Sequence, residues 1–360
     1  MNIYIVGAGP AGSYAAYLFA KNGFKVTVFE EHNEIGKPIQ CTGIVTSSIE
    51  KLVKIEKDCL INKIKKAKIF SPNGKCIEFN LKSPNLILDR KKFDRYLAEK
   101  AMDAGAEFFL NHKFITIKNG YVIIKNKNRI KKINLKNNIL IGADGPLSAV
   151  ARCSGLFKNR KFWYGAQARA CLKNDNSVEF YPYIGKFAWV VPENENIVRI
   201  GVLAKDNVNF HFKNFLKKKK IKKIIENQGG IVPVYSRNIK TKKKNIYLVG
   251  DSAAQVKATT AGGIIQSMIA AKSLVDSIIN KKKYEREWRE KIGTELYIHL
   301  FMRRILDNFS KKDYDYLIYL FSKKKNKKIL ENYDRDFPSK FIIKMVISEP
   351  RLLYFLKNLV

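Results

Sequence analysis

Ile3, Tyr4, Ile5 and Val6 form a short unbroken apolar run, which the pattern predicts as a parallel strand buried on both faces. From Pro10 to Lys21, alanines and aromatic residues recur at helical intervals, and Gly23 stops the pattern. Val26–Phe29 reads as a second strand, so the chain opens with one strand–helix–strand unit. Residues 63–82 read as two β-like runs around the turn sequence SPNGK. Over residues 89–105, Phe93, Leu97 and Ala101 fall on one face of an amphipathic helix. Short strands follow to about residue 136, and 137–145 is a further buried strand ending in a turn. Residues 162–204 alternate apolar and polar positions, as antiparallel strands do. Residues 245–251 return to a buried strand, 262–280 to a helix, and from about 284 the pattern is mostly helical.

This order is interleaved. It predicts an α/β protein with a Rossmann-type nucleotide-binding domain assembled from residues 1–60, 85–155 and 240–282. An antiparallel sheet domain that would bind substrate, residues 61–84 and 156–239, is inserted between those pieces, and a helical C-terminal region spans 283–360. With 360 residues, 46% of them hydrophobic, the chain can bury a core large enough for two closely packed domains.

Charge changes the picture of partners. The formal net charge is +36 and the pI near 9.9. Such a field attracts nucleic acid, anionic membrane surfaces or acidic proteins. The lysines are spread through runs at 217–223, 240–244 and 323–328, which also suits solvated faces in a lysine-rich composition. No helix-turn-helix, RNP or zinc-finger pattern accompanies them, so nucleic acid is not expected as a partner. No apolar run approaches the roughly 20 residues that cross a bilayer. Four histidines and five scattered cysteines form no metal-binding spacing, and no metal is expected. The odd, dispersed cysteines and the lack of a secretory signal lead to the expectation of a reducing cytoplasm.

The first chemical motif is Gly7-x-Gly9-x-x-Gly12, placed after a strand and opening a helix. Gly7 suits a tight turn, Gly9 lets backbone approach a pyrophosphate, and Gly12 lets the helix pack on the strand. With Pro10 and Ala11, these residues would present the helix N-terminus to phosphates. Glu30, at the end of the second strand, would accept hydrogen bonds from ribose hydroxyls and argues against a 2′-phosphate. FAD and NAD both fit this unit.

Three later segments carry a resemblance. GADGPLSAVAR (142–152), VGDSAAQVKATTAGGI (249–264) and LDRKKFD (88–94) resemble, in the same order, three motifs of the p-hydroxybenzoate-hydroxylase-type flavoproteins. Within that superfamily, IGKPIQCTGIVT (35–46), QVKATTAGGI (255–264) and FAWVVP (187–192) resemble segments of the geranylgeranyl reductase family, its archaeal ether-lipid subgroup above all. Ala258 stands where that family usually has Pro, and Ala261 replaces the first Gly of its glycine run.

The resemblance implies FAD as cofactor, with Arg90, Asp144, Asp251, Thr260, Gly262, Gly263 and Ile264 added to the binding residues. Asp251 would hold the ribityl chain, and Gly262-Gly263 would bring backbone N–H groups to the flavin's pyrimidine edge. The helix they open has a positive end that favours negative charge there. Cys41 would lie near the flavin, as proton donor or gate. Phe187, Trp189 and Pro192, with Tyr181 on a neighbouring strand, would wall a dry substrate slot. An ordinary helix cap at Asp251, a turn at Asp144, core packing of the aromatics and an inert buried Cys41 are the bland alternatives.

The implied activity is FAD-dependent saturation of C=C bonds in the geranylgeranyl chains of archaeal-type ether lipids. Its implied partners are an isoprenoid lipid, an electron donor such as ferredoxin or a reduced nicotinamide or deazaflavin, and a peripheral membrane surface. The segments 296–309 and 340–360 are basic and amphipathic, as helices resting on that surface would be; closing the core is the alternative, favoured for 296–309. An FAD-dependent aromatic-ring monooxygenase and a basic nucleic-acid-associated flavoprotein are the competing readings.

Overall fold

A computed structural model describes residues 1–359, and within it two large sheets share one apolar core. The first sheet has six strands in the order Lys242–Lys243, Ile246–Leu248, Ile139–Gly142, Asn2–Val6, Lys25–Phe29 and Glu107–Phe109, all parallel except the outermost pair at the Lys242–Lys243 edge. Its central strands are apolar along their length because both faces are covered. Ile3 and Ile5 face the main core, while Val6 and Leu140 face a second cluster under the three-stranded sheet of residues 113–134.

Helix α1 (Pro10–Lys21) covers one face of this sheet. It packs against α2 (Arg90–Asp103) and, across its other flank, the long helix of residues 264–279. Ala11, Gly12, Ala15 and Ala16 are buried, and these small side chains allow the close approach. The short helix α3 (Ala149–Ser154) follows the strand Ile139–Gly142.

The second sheet has eight strands in the order Ile224–Pro233, Phe162–Cys171, Ile197–Ala204, Phe187–Pro192, Ser177–Tyr181, Leu60–Phe70, Cys76–Leu88 and Ile44–Thr46. All pairings are antiparallel except that of Ser177–Tyr181 with Leu60–Phe70, which is parallel. The strand Ile44–Thr46 belongs to this sheet, although the sequence pattern placed residues 1–60 with the nucleotide-binding part. The two β-like runs expected within 63–82 are longer than the pattern indicated, because Leu60–Phe70 and Cys76–Leu88 stay paired along their length through two register shifts. One face of the sheet joins the main core, and the other is covered by helix α4 (Val208–Lys218).

Helix α5 (Ile264–Ile279) leads into the C-terminal helices. Tyr284 and Trp288 are fully buried there. The Tyr284 hydroxyl donates to Leu248 O (2.8 Å) and Trp288 Nε1 donates to Thr241 Oγ1 (3.0 Å), so this region is bonded directly to the edge of the parallel sheet. No helix among the described residues is long and apolar enough to cross a membrane.

Candidate active site

Gly7 has φ +102°, and a Cβ there would lie 2.4 Å from Ala143 O. The glycine is therefore needed twice, for its left-handed backbone and for the segment crossing above it. A Cβ on Gly12 would lie 2.0 Å from Gly7 O, so that position sets the contact between helix and turn. Gly9 differs: nothing lies within 4 Å of a Cβ built there. Gly9 is also the N-cap of α1, with Pro10 in the first turn and no side-chain cap. The helix thus offers unpartnered backbone N–H groups and a positive dipole end beside open space, which suits a pyrophosphate.

Glu30 ends the second strand of the unit. Its Oε2 accepts from Ala8 N (2.8 Å), and its Oε1 accepts from His32 N (3.0 Å) and lies 2.6 Å from His32 Nδ1. The carboxylate ties the glycine turn to the chain that leaves the strand, and Oε2 retains a lone pair for a hydroxyl. Asp144 is otherwise engaged. It accepts from Ser148 Oγ (2.6 Å) and Val150 N (3.0 Å), so it secures the start of α3. Burial pushes its carboxyl up, and these hydrogen bonds oppose the shift.

Asp251, Arg90, Cys41 and the loop 257–263 lie close together. Asp251 Oδ1 is 3.2 Å from where a Cβ on Gly263 would stand, and its carboxylate has no hydrogen-bond partner among the described residues. Burial pushes its pKa up to about 6 from 3.8, with nearby Arg90 pulling the other way. Arg90 binds Asp94 through Nε (3.0 Å) and Nη2 (2.8 Å). Burial alone would lower its pKa, but Asp94 and then the adjacent Cys41 hold the guanidinium charged. Cys41 Sγ also accepts from Gly43 N (3.3 Å). In the loop, Thr260 Oγ1 is buried without a partner, and Gly263 caps α5 with no side-chain cap. Ala261 adopts φ +54°, a left-handed conformation that a glycine would hold without strain.

Beside the Cys41 loop stands the eight-stranded sheet. Phe187 and Trp189 have ring centroids 5.2 Å apart and share the main apolar cluster with Ala258 and Leu296. Trp189 lies across Gly201, where a Cβ would meet its Cζ2 at 2.3 Å. Its indole N–H donates to Gln167 Oε1 (3.0 Å), which also accepts from Thr42 Oγ1 (2.7 Å). Sheet and Cys41 loop are thereby joined. The arrangement combines anion-binding helix ends, acceptors for sugar hydroxyls, an unpartnered hydroxyl beside a glycine loop and a dry aromatic wall. It fits an extended dinucleotide whose ring end meets the loop 257–263.

Comparison with known proteins agrees. A family described as "NAD(P)-binding Rossmann-like domain" matches residues 5–42. The digeranylgeranylglycerophospholipid reductase of Methanocaldococcus jannaschii is 30% identical, over 99% of this chain and 98% of the relative. The chain belongs to the geranylgeranyl reductase family. The Methanosarcina acetivorans digeranylgeranylglycerophospholipid reductase is 31% identical over 88% of this chain and 87% of the relative. Among solved structures, a geranylgeranyl bacteriochlorophyll reductase-like protein from Thermoplasma acidophilum superposes with a TM-score of 0.84, at 25% identity, over 100% of this chain and 99% of that one.

Within this geranylgeranyl reductase fold, two expected wall residues are placed elsewhere. Tyr181 pairs with Ala188 and lies on the opposite face of the sheet, stacked on Phe70 (4.6 Å) and edge-on to Phe215 (5.0 Å). Its hydroxyl donates to Glu179 Oε2 (2.6 Å). Strand alternation is the reason: Phe180, opposite Trp189, takes the core-facing position. By the same alternation Pro192 falls on the Ala188 and Val190 side, away from Phe187 and Trp189.

The segment 296–309 closes the core, the reading favoured for it over a membrane-facing helix. Leu296, His299, Leu300 and Arg303 are buried, and Arg303 Nη1 donates inward to Lys186 O (2.8 Å). Sequence reasoning missed the groups that hold the Cys41 loop. Arg199 Nη1 donates to Thr42 O and Leu88 O, and its Nε donates to Glu193 Oε1 (2.7 Å). Arg169 and Arg199 hold Glu193 below the usual carboxylate range against the opposing effect of burial. A single charged residue, Arg199, within the otherwise apolar run 197–204 was the available signal.

Proposed function

We propose that this protein binds FAD and uses it to saturate C=C bonds in the geranylgeranyl chains of isoprenoid ether lipids. The observation that carries the reading is the full-length likeness to a digeranylgeranylglycerophospholipid reductase. FAD, when bound, supplies the hydride for the alkene. The chain's own residues do the rest. Gly7–Gly12 and the α1 N-terminus take the pyrophosphate, Glu30 the adenosine ribose and Asp251 the ribityl chain. Gly262, Gly263 and the α5 N-terminus favour negative charge at the pyrimidine edge.

An unactivated trisubstituted alkene needs a proton on one carbon as hydride reaches the other. Phe187 and Trp189 keep water from the chain. Cys41 is the thiol positioned to gate the slot or to deliver that proton, with Arg90 and the Gly43 N–H orienting its sulfur.

The C-terminal segment gives the lipid a route from the membrane. Ile343 is 67% and Ile347 73% exposed, and Leu353, Tyr354, Leu356 and Leu359 are exposed beside Lys340, Lys344 and Arg351. This apolar, basic face would rest on an anionic bilayer, each well-placed cation adding roughly 1 kcal/mol. An acidic electron donor such as ferredoxin would be drawn by the same field.

The decisive experiment is mass spectrometry of lipids from cells that make the unsaturated ether lipid and express this protein. The expected result is an increase by pairs of hydrogens. Unchanged lipid alongside folded, FAD-loaded protein and a competent reductant overturns the reading. Oxygen-dependent hydroxylation of an added aromatic substrate would instead favour the ring monooxygenase.

A further inference from the structure

The loop 257–263 rests on a buried ionic cluster that the reaction outlined above does not use. Lys257 is 4% exposed and Asp336 1% exposed, and Lys257 Nζ pairs with Asp336 Oδ1. Lys257 also closes the loop: its N–H donates to Gly262 O (3.1 Å), and its carbonyl accepts from Ala261 N (2.9 Å). A Cβ on Gly262 would stand 2.9 Å from Lys257 Nζ, so the nitrogen lies directly against the loop's first glycine. Asp251 flanks the other side at Gly263.

The cluster extends into the C-terminal region. Thr46 Oγ1 donates to Asp336 Oδ2 (3.0 Å) and Asp334 Oδ2 (2.9 Å), and Arg335 Nη1 donates to Asn85 Oδ1 (2.6 Å). His299, 2% exposed, sits beside Thr259 with Nδ1 to Oγ1 at 2.6 Å, and its Nε2 has no partner. Burial, then Lys257 and Arg335, hold the imidazole neutral.

A buried ion pair gains little net stability, because desolvation offsets attraction; apolar side chains of similar size would close this gap as well. The charge at this place therefore calls for another use. We propose that Lys257 and Asp336 form a positioning pair that fixes the loop against the bound FAD and keeps the local charge at the ring edge balanced, so that the C-terminal region helps set the cofactor's reduction potential. This rests on the FAD reading above. The pair is neutral overall whichever partner carries the proton. The backbone N–H groups and the α5 dipole then act on the ring undiminished by a nearby net charge. Asp334, Arg335 and the neutral His299 are the other titratable groups facing it.

The test reads the midpoint potential of bound FAD in three variants of the full chain. Reduction adds negative charge to the ring, so an unbalanced cation favours it and an unbalanced anion opposes it. Asp336→Asn, measured at about pH 6 to keep the buried ammonium charged, is expected to shift the potential upward. Lys257→Met, measured at about pH 9 to keep the buried carboxylate charged, is expected to shift it downward. The double variant K257M/D336N should return close to the wild type.

A merely structural role predicts no opposed signs. Shifts of one sign, or none, overturn the proposal. If a single variant loses FAD, the double variant decides. Flavin retained at near-wild-type potential supports the pair, and flavin lost there too makes the role structural and overturns it. Wild-type protein that takes up no FAD would defeat the cofactor reading itself, which is a distinguishable failure.

Discussion

Trp189 donates its indole N–H to Gln167 Oε1 at 3.0 Å, and the same oxygen accepts from Thr42 Oγ1, one residue after Cys41. The aromatic wall and the cysteine loop therefore share one acceptor. Trp189→Phe removes the hydrogen bond and the indole edge that lies over Gly201, with an expected cost of about 1–2 kcal/mol. Trp189→Ala opens a cavity in the main core, with an expected cost of about 3–5 kcal/mol. Urea unfolding measures both, and lipid turnover should fall in the same order. Equal stability of the two variants would show that Trp189 does not fill that core.

The glycine turn separates folding from binding. A methyl on Gly12 collides with Gly7 O, whereas one on Gly9 meets open space at an ordinary φ of −72°. Gly12→Ala should lower thermal stability by several kcal/mol and abolish FAD uptake. Gly9→Ala should leave the FAD-free protein within about 0.5 kcal/mol of wild type and still weaken FAD binding, because the methyl projects toward the pyrophosphate. Thermal melts with and without FAD check both, and undiminished affinity in Gly9→Ala would remove the pyrophosphate from this loop.

Ala261 occupies a left-handed conformation where the family pattern has glycine. Ala261→Gly should relieve about 1 kcal/mol of backbone strain, partly offset by the greater freedom of the unfolded chain. The net expectation is a protein equally stable or slightly more so, with FAD bound at least as tightly. Looser FAD binding would mean that the methyl itself supports the loop.

Much of this was legible in the chain. The apolar run at 3–6 and the mainly apolar segments at 26–29 and within 137–145 announced parallel strands because both faces of that sheet are covered. The glycine spacing announced the phosphate turn because Gly7 and Gly12 are sterically forced. What stayed hidden depended on long-range pairing. Alternation shows that Phe187 and Trp189 share a face, but not which face Tyr181 takes. That is set by its register with Ala188. Lys257 looked like one more lysine in a basic chain, because its partner Asp336 is remote in sequence and meets it only when the C-terminal region closes over the loop.

Asp251 links pH to the stability of the FAD-free protein. Its carboxyl ionises near 3.8 in the unfolded chain and at about 6 in the folded one, since burial disfavours the charge. Between those values the folded state holds a proton that the unfolded state has released. Stability from this group is therefore fully present below about pH 4 and falls as pH rises through about 6, by on the order of 2 kcal/mol given the carboxylate's partial exposure to the cleft. Asp251→Asn removes that dependence. The variant without FAD should be more stable than wild type at neutral pH and no more stable at pH 4, while binding FAD more weakly because the ribityl acceptor is lost. Urea unfolding of the FAD-free proteins across this range is the measurement. A stability difference that does not change with pH would mean that Asp251 is solvated and ordinary, and with it the ribityl assignment would lose its physical basis.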